Sequence, residues 1–403
     1  MFEIARWHYL IYAALAAFIT ALKGFFYAHL LNEVQYAGVN YYLLILGVGV
    51  LLVGSGVMVR CHTELPLLVK GDTQELRGFV GQVKGMGFLF WLVLCVLVLF
   101  GGQAVDLALP LQMLSVVQVL VFFLFTVDLM IIKSRLDFLG YARQLFARNA
   151  VIAAAGFSAA YLTADAVGTV AAEVACAILI YSRGLVAFIR VQRLPSEQFF
   201  FQSLAYVPVT LVGALLQFVD RLLASSVLKA EDFSRFSYFS LIILAGLSIQ
   251  QLVNTRIITV LPAMCEVDAR AGFRYTLKAS AGMALVMFVV LTLGMLILQS
   301  PWFAAAWFES DYLLGFLFVL IALVRAVDFY TSYLLVMGRK LLLFSMQLAG
   351  LLFFCSGVLI FNVQYAATGL RGLVWVMLIG FSMLLLALII AAWRVSGVGE
   401  NSE

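Results

Sequence analysis

Residues 217–232 read "QFVDRLLASSVLKAED", an Asp-Arg pair inside a run otherwise made of residues that suit lipid. Residues 20–33 read "TALKGFFYAHLLNE", and a constant shift of 198 lays Lys23 over Arg221 and Glu33 over Glu231. One cation in an apolar run can be an accident of packing, but two at matching places mark a unit used twice. The shift extends outward. "HLLNEVQY" (29–36) falls on "VLKAEDFS" (227–234), "YYLLILG" (41–47) falls on "FSLIILA" (239–245), and Gly140 in "FLGYARQ" falls on Gly338 in "VMGRKLL". The halves are therefore expected at 1–198 and 199–403.

Composition sets the class. Hydrophobic residues make up 65% of the 403 and charged residues 11%, about half the charged share of an ordinary soluble domain. Mean hydropathy is +1.08. The apolar residues fall in blocks of about 20, enough for a helix to cross a hydrocarbon core of ~30 Å. Strand-length alternation is absent from the sequence, which argues against a β-barrel. The expected fold is an all-α polytopic membrane protein of about twelve transmembrane helices. The spans are placed at 7–30, 37–59, 85–105, 108–132, 149–166, 168–190, 199–223, 236–257, 279–299, 312–336, 341–361 and 368–393. Six spans per half bring both halves in from the same side, so the two six-helix bundles are related by a pseudo-two-fold along the membrane normal. Such a pair encloses a central cavity.

Charge gives the orientation. The segments that follow even-numbered spans, together with Arg6 and Arg394 at the ends, carry 19 of the 25 Lys and Arg. By the positive-inside rule both termini face the cytoplasm, and the expected location is the cell's inner (cytoplasmic) membrane. The first span is too long and too weakly charged at its start to be a cleaved signal. Two inner connections, 60–85 and 262–278, mix basic and apolar residues at helical spacing and are expected to lie on the inner leaflet. The five cysteines stand singly and the three histidines form no ligand pattern, so no metal or other cofactor is expected.

"AHLLNEVQYAGVNYYLLILGVGVLL" (28–52) and "FVDRLLASSVLKAEDFSRFSYFSLIILAG" (218–246) resemble matching segments of the polysaccharide flippases of the MOP (multidrug/oligosaccharidyl-lipid/polysaccharide) exporter superfamily. The closing stretch 323–375 is similar to that family's last three spans, with a Gly-basic turn at "VMGRKLL" and a short "YAATGLRG" connection. The resemblance covers nearly the whole chain. It implies a MATE-like two-bundle architecture and export of an oligosaccharide linked to undecaprenyl pyrophosphate, for surface polysaccharide biosynthesis. The implied partners are that lipid-linked oligosaccharide, membrane lipids and other polysaccharide-assembly proteins, with no nucleic acid.

Charges deep in spans are costly and usually face a cavity or a partner. Lys23 lies about 24 Å up its helix at ~1.5 Å per residue, and Arg221 holds the matching place. Both are candidates to bind a pyrophosphate, the lysine as a point charge and the arginine through two parallel hydrogen bonds. Snorkelling to the headgroups is the alternative for each, and Arg221 could also answer Asp220. Arg325 is a further phosphate candidate, though Asp328 three residues on could pair with it. Gln250 and Asn254, four apart on one face, are candidates for sugar hydroxyls, and bonding between helices explains them equally well. Asp128, Asp328 and Glu173 are the candidates for proton coupling, if burial raises their pKa.

Alternating access would then carry the headgroup across while the polyprenyl tail stays in lipid. A MATE-like drug or cation antiporter is the nearest competitor. It would want an acidic or aromatic cavity, which the basic pair opposes and Asp128 and Asp328 favour. A membrane-embedded glycan polymerase would want a large outer loop. An acyltransferase would want a buried histidine with polar company, and His29 at a helix end is the one candidate.

Overall fold

The apolar runs fold as helices because a backbone inside a bilayer has no water to bond and must satisfy its own polar groups. A computed structural model describes residues 2–104, 107–191, 194–364 and 369–397, and among these there is no strand. The first compact unit, Met1–Phe218, holds α1 (Phe2–Leu30), α2 (Glu33–Val53), α3 (Val57–Leu68), α4 (Thr73–Ala104), α5 (Leu109–Ser134), α6 (Phe138–Thr163), α7 (Ala166–Val191), α8 (Glu197–Leu204) and the first half of α9 (Val207–Val227). The second, Val219–Glu403, holds the rest of α9 with α10 (Ala230–Phe239), α11 (Leu241–Val267), α12 (Ala269–Leu298), α13 (Tyr312–Ala326), α14 (Tyr330–Val336), α15 (Lys340–Gln364) and α16 (Gly369–Gly397).

Among the described residues eleven helical stretches are long and apolar enough to cross a membrane, and Ala14–Leu30 is a shorter apolar one near the start. The order of elements follows the sequence repeat. Moving α4 by 198 gives 271–302, against Ala269–Leu298 for α12. Moving α7 gives 364–389, against Gly369–Gly397 for α16. Packing divides the chain at 218/219, later than the repeat boundary at 198/199. The cause is α3, where buried Arg60 stacks on Phe199 at 4.0 Å and donates from Nη1 to the Phe199 carbonyl oxygen (3.2 Å) and Ser203 Oγ (3.3 Å). Its other N–H groups take Glu64 at 2.6 and 3.0 Å. That knot ties α8 to the first unit.

The connections 60–85 and 262–278 are largely helical. Only α3 is a separate helix; residues 73–85 continue unbroken into α4, and α11 runs to Val267 before Asp268 starts α12. Short polar side chains set several starts. Asn32, Asp137, Ser196, Asp268 and Asp311 each accept a backbone N–H from the first turn that follows, satisfying donors that a helix N-terminus otherwise leaves bare.

In the first unit α5 is the hub, packed on α2, α3, α4, α6 and α7. In the second, α13 packs on α11, α12 and α16, and its Phe318 ring lies 5.2 Å edge-on from Phe236 and 5.2 Å stacked on Phe239, both of α10. The outward faces are apolar. On α16, Trp375, Ile379, Met383, Leu386, Ile390 and Trp393 recur every three or four residues and are all exposed, a stripe that suits hydrocarbon rather than water.

Gly56 closes the turn between α2 and α3 at φ +74°, where a side chain is strained, and a Cβ there would strike the Ser203 carbonyl. Gly56→Ala should therefore lower stability by about 1–2 kcal/mol from the strained backbone alone. Thermal unfolding of the detergent-purified chain reads this, and an unchanged midpoint would contradict the close approach of α3 to α8.

Candidate transport site

The first unit buries a carboxylate shared by three donors. Lys23 and Tyr27 stand one turn apart on α1, Tyr42 faces them from α2, and all three converge on Glu173 of α7. Lys23 Nζ lies 2.5 Å from Glu173 Oε2, Tyr42 OH donates to the same oxygen at 2.9 Å, and Tyr27 OH donates to Oε1. The lysine ammonium also lies 5.7 and 5.8 Å from the Tyr27 and Tyr42 ring centres. Glu173 is fully buried and the Lys23 side chain is 12% exposed. Gly156 on α6 makes the cluster possible, since a Cβ there would collide with the Tyr27 hydroxyl and the Glu173 carboxylate. Glu173, a candidate for proton coupling by sequence, lies in α7. The helix starts at Ala166, and three donors from two other helices surround it.

A second cation–carboxylate–tyrosine group sits further along α7. Lys84 Nζ of α4 pairs with Asp128 Oδ1 of α5 at 2.6 Å, and Tyr181 OH donates to Asp128 Oδ2. Glu173 and Tyr181 are eight residues apart, about 12 Å along the helix. Arg148 of α6 packs on rings beside the second group. Its guanidinium lies 4.4 Å from the Phe122 ring and 5.0 Å from Phe125, and Phe125 in turn packs edge-on against Tyr181. Nε and Nη2 donate to Asn149 Oδ1, while Asn149 Nδ2 reaches the Ala16 carbonyl oxygen and Thr20 Oγ1 of α1. Arg148 has no carboxylate partner among the described residues. Its charge is held by ring faces and one amide, a weak counterweight to desolvation.

Sequence reading missed Arg148 and Lys84 as site residues because it began their spans too late, at 149 and 85. Helix α6 starts at Phe138 and α4 at Thr73, which carries both cations well into their helices. The signal was in the sequence: Asp137 followed by Gly140 is a capping pair, with the Gly140 N–H donating to Asp137 Oδ1 at 2.8 Å.

In the second unit Asp220 and Arg325 form a buried pair at 2.7 Å, with side chains 3% and 8% exposed. The Arg325 guanidinium lies 4.7 Å from the Phe381 ring centre. Asp220 thus takes a partner on another helix, and its neighbour Arg221 donates to Ser240 Oγ at 3.0 Å. The span that carries Arg325 is broken at Val327–Phe329, between α13 and α14. Asp328 sits in the break, accepting the Thr331 N–H (3.2 Å) and hydroxyl (2.8 Å). Carbonyls freed by the break find donors: Ser280 Oγ to Val327 O and Gln250 Nε2 to Asp328 O, both at 2.9 Å. Ser332 Oγ donates to Asn254 Oδ1 at 2.9 Å. Gln250 and Asn254, candidates for sugar hydroxyls, are thus bonded to the broken helix. Irregular backbone at membrane depth requires such support.

No family model matches the chain, and no curated protein matches it in sequence. Solved structures do match in fold. A lipid II flippase, MurJ, in an inward closed conformation aligns with a TM-score of 0.67 at 14% identity, covering 96% of this chain and 90% of that one. An inward-facing multidrug resistance MATE family transporter of the MOP superfamily aligns at 0.63 and 13% identity, covering 96% of each. A MATE transporter from Vibrio cholerae, VcmN, aligns at 0.60 and 14% identity, covering 100% of this chain and 96% of the other. The fold is that of MOP superfamily transporters, a polytopic all-α membrane protein.

Removing one partner of a buried ion pair leaves an uncompensated charge. Glu173→Ala should cost about 3–5 kcal/mol, whereas Lys23→Met with Glu173→Leu should recover most of that loss. Unfolding midpoints of the three chains in detergent check this; a single variant as stable as the double would contradict the shared carboxylate.

Proposed function

We propose that this chain is a flippase that carries a polyprenyl-pyrophosphate-linked oligosaccharide from the cytoplasmic to the outer leaflet, for surface polysaccharide assembly. The observation that carries this reading is the charge balance in the first unit. Lys23 and Lys84 each have a carboxylate partner, Glu173 and Asp128, whereas Arg148 packs on ring faces and has no carboxylate partner among the described residues. Its guanidinium suits the planar, two-point recognition of a phosphate.

The arrangement also gives a way to exchange partners. If Lys23 turns toward a pyrophosphate, Glu173 keeps the Tyr27 and Tyr42 hydroxyls, so the carboxylate is not left bare. In the second unit, Arg325 has Asp220 as its resting partner and could be drawn off in the same manner. No covalent chemistry is asked of any residue. Translocation proceeds by alternating access in the cytoplasmic membrane, with both termini in the cytoplasm. The glycan would come from, and pass to, other polysaccharide-assembly proteins.

A MATE-like antiporter of cationic drugs is the second reading, favoured by the carboxylates Asp128, Glu173 and Asp220 and by the MATE transporters among the structural matches. Transport in proteoliposomes separates the two. A fluorescent polyprenyl-pyrophosphate oligosaccharide should change leaflet with the wild type, and Arg148→Gln should slow it about tenfold or more, the worth of one phosphate hydrogen-bond pair, with an unchanged unfolding midpoint. Movement of a cationic dye with none of the lipid-linked sugar would overturn the flippase reading in favour of the antiporter.

A further inference from the structure

A cavity of about 580 Å³ opens at one end of the second unit, lined by Arg270, Phe273 and Arg274 of α12 and Trp393, Arg394, Ser396 and Gly397 of α16. Sequence reading counted these arginines only toward orientation. On α12 the three residues fall at i, i+3 and i+4, so they share one helix face. Their positions are fixed from behind. Tyr333 OH donates to the Ala269 carbonyl oxygen at 3.0 Å, and the Phe273 ring packs against Tyr330 and Tyr333. Asp268 caps α12 by accepting the Arg270 N–H at 2.8 Å. No carboxylate lines the cavity, and Arg274 and Arg394 have no ion-pair partner among the described residues.

We propose that this cavity binds the phosphate headgroup of an anionic glycerophospholipid. The Arg274 and Arg394 guanidinium groups, from two helices, suit a phosphate, and basic pockets between membrane helices suit such headgroups. The surroundings choose a lipid over free phosphate. The cavity lies at the foot of the exposed apolar stripe that runs down α16 from Trp375 to Trp393, and the neighbouring face of α12 exposes Leu285, Val286, Val289 and Leu293. Acyl chains laid along those faces would set their headgroup among the arginines, with Trp393 at the interface. The lining favours a phospholipid over the lipid-linked sugar. Ser396 carries its one side-chain hydroxyl, and that hydroxyl already donates to the Trp393 carbonyl oxygen. A glycan would have few groups to meet its hydroxyls. By the charge reading of the sequence this end faces the cytoplasm, whose leaflet carries the anionic lipids. The site does not depend on the transported substrate.

The test is lipid binding by the full-length chain in detergent, read by native mass spectrometry and by unfolding midpoint. Phosphatidylglycerol, cardiolipin and phosphatidylcholine are added in turn, and inorganic pyrophosphate and undecaprenyl pyrophosphate separately. Phosphatidylglycerol or cardiolipin should be retained and raise the midpoint where phosphatidylcholine does not. Arg274→Gln with Arg394→Gln should cut that preference about tenfold or more, from the loss of two charges near a headgroup, while the midpoint without lipid stays the same. Arg394→Gln alone should give a smaller loss. Arg339→Gln with Lys340→Gln, basic residues outside the cavity, should leave the preference intact. Equal retention of anionic and zwitterionic lipid would overturn the proposal, as would an equal loss in the 339/340 variant. Stabilisation by inorganic pyrophosphate alone would return the cavity to free phosphate. Preference for undecaprenyl pyrophosphate over both phospholipids would give it to the carrier lipid.

Discussion

The carboxylate of Glu173 is the constraint around which the first unit is arranged. A carboxylate with no water nearby must be neutralised and hydrogen-bonded, or it costs several kcal/mol. Here one ammonium and two tyrosine hydroxyls meet it from α1 and α2, and the absence of a side chain at Gly156 leaves the room they need. The cluster fixes the rotation of α1, α2 and α7 about their own axes. That rotation then decides which faces remain apolar and exposed to lipid.

The second unit meets the same problem by another route. Its buried pair, Asp220 with Arg325, joins residues 105 positions apart and needs no tyrosine. Its polar work is concentrated at the break between α13 and α14, where Ser280 and Gln250 each bond a carbonyl at the break, and Asn254 accepts a hydrogen bond from Ser332 of α14. The matching helix of the first unit, α5, runs unbroken from Leu109 to Ser134. A broken helix supported by side chains is a natural place for a few backbone angles to change. The two units therefore carry different polar groups: a carboxylate with three donors in one, a supported break in the other.

Much of the fold was legible in the sequence because hydropathy acts locally. Runs of about 20 apolar residues with little charge between them can hardly do anything but span. The repeat also showed as a simple shift, and the order of helices follows it. Partners were harder to read. Lys23 and Arg221 match in sequence, yet one meets a carboxylate and two tyrosines and the other a serine hydroxyl. Which side chain a charge meets depends on helix rotation and on neighbours more than a hundred residues away, and neither is written in the local pattern. Arg148 was hidden for a different reason. A hydropathy window trims a helix end that carries charge, so a residue well inside α6 was assigned to a loop, although the Asp137 cap marked the true start.

The central claim is that the buried cations of this fold serve an anionic headgroup. Its most direct test is the affinity of the purified chain for undecaprenyl pyrophosphate against undecaprenol, the same tail without the charge, in chains that carry Arg274→Gln and Arg394→Gln so that the peripheral arginines take no part. The account predicts that the pyrophosphate binds at least about tenfold tighter, as one or two charge-assisted hydrogen bonds would give. Equal binding of the two lipids would contradict it.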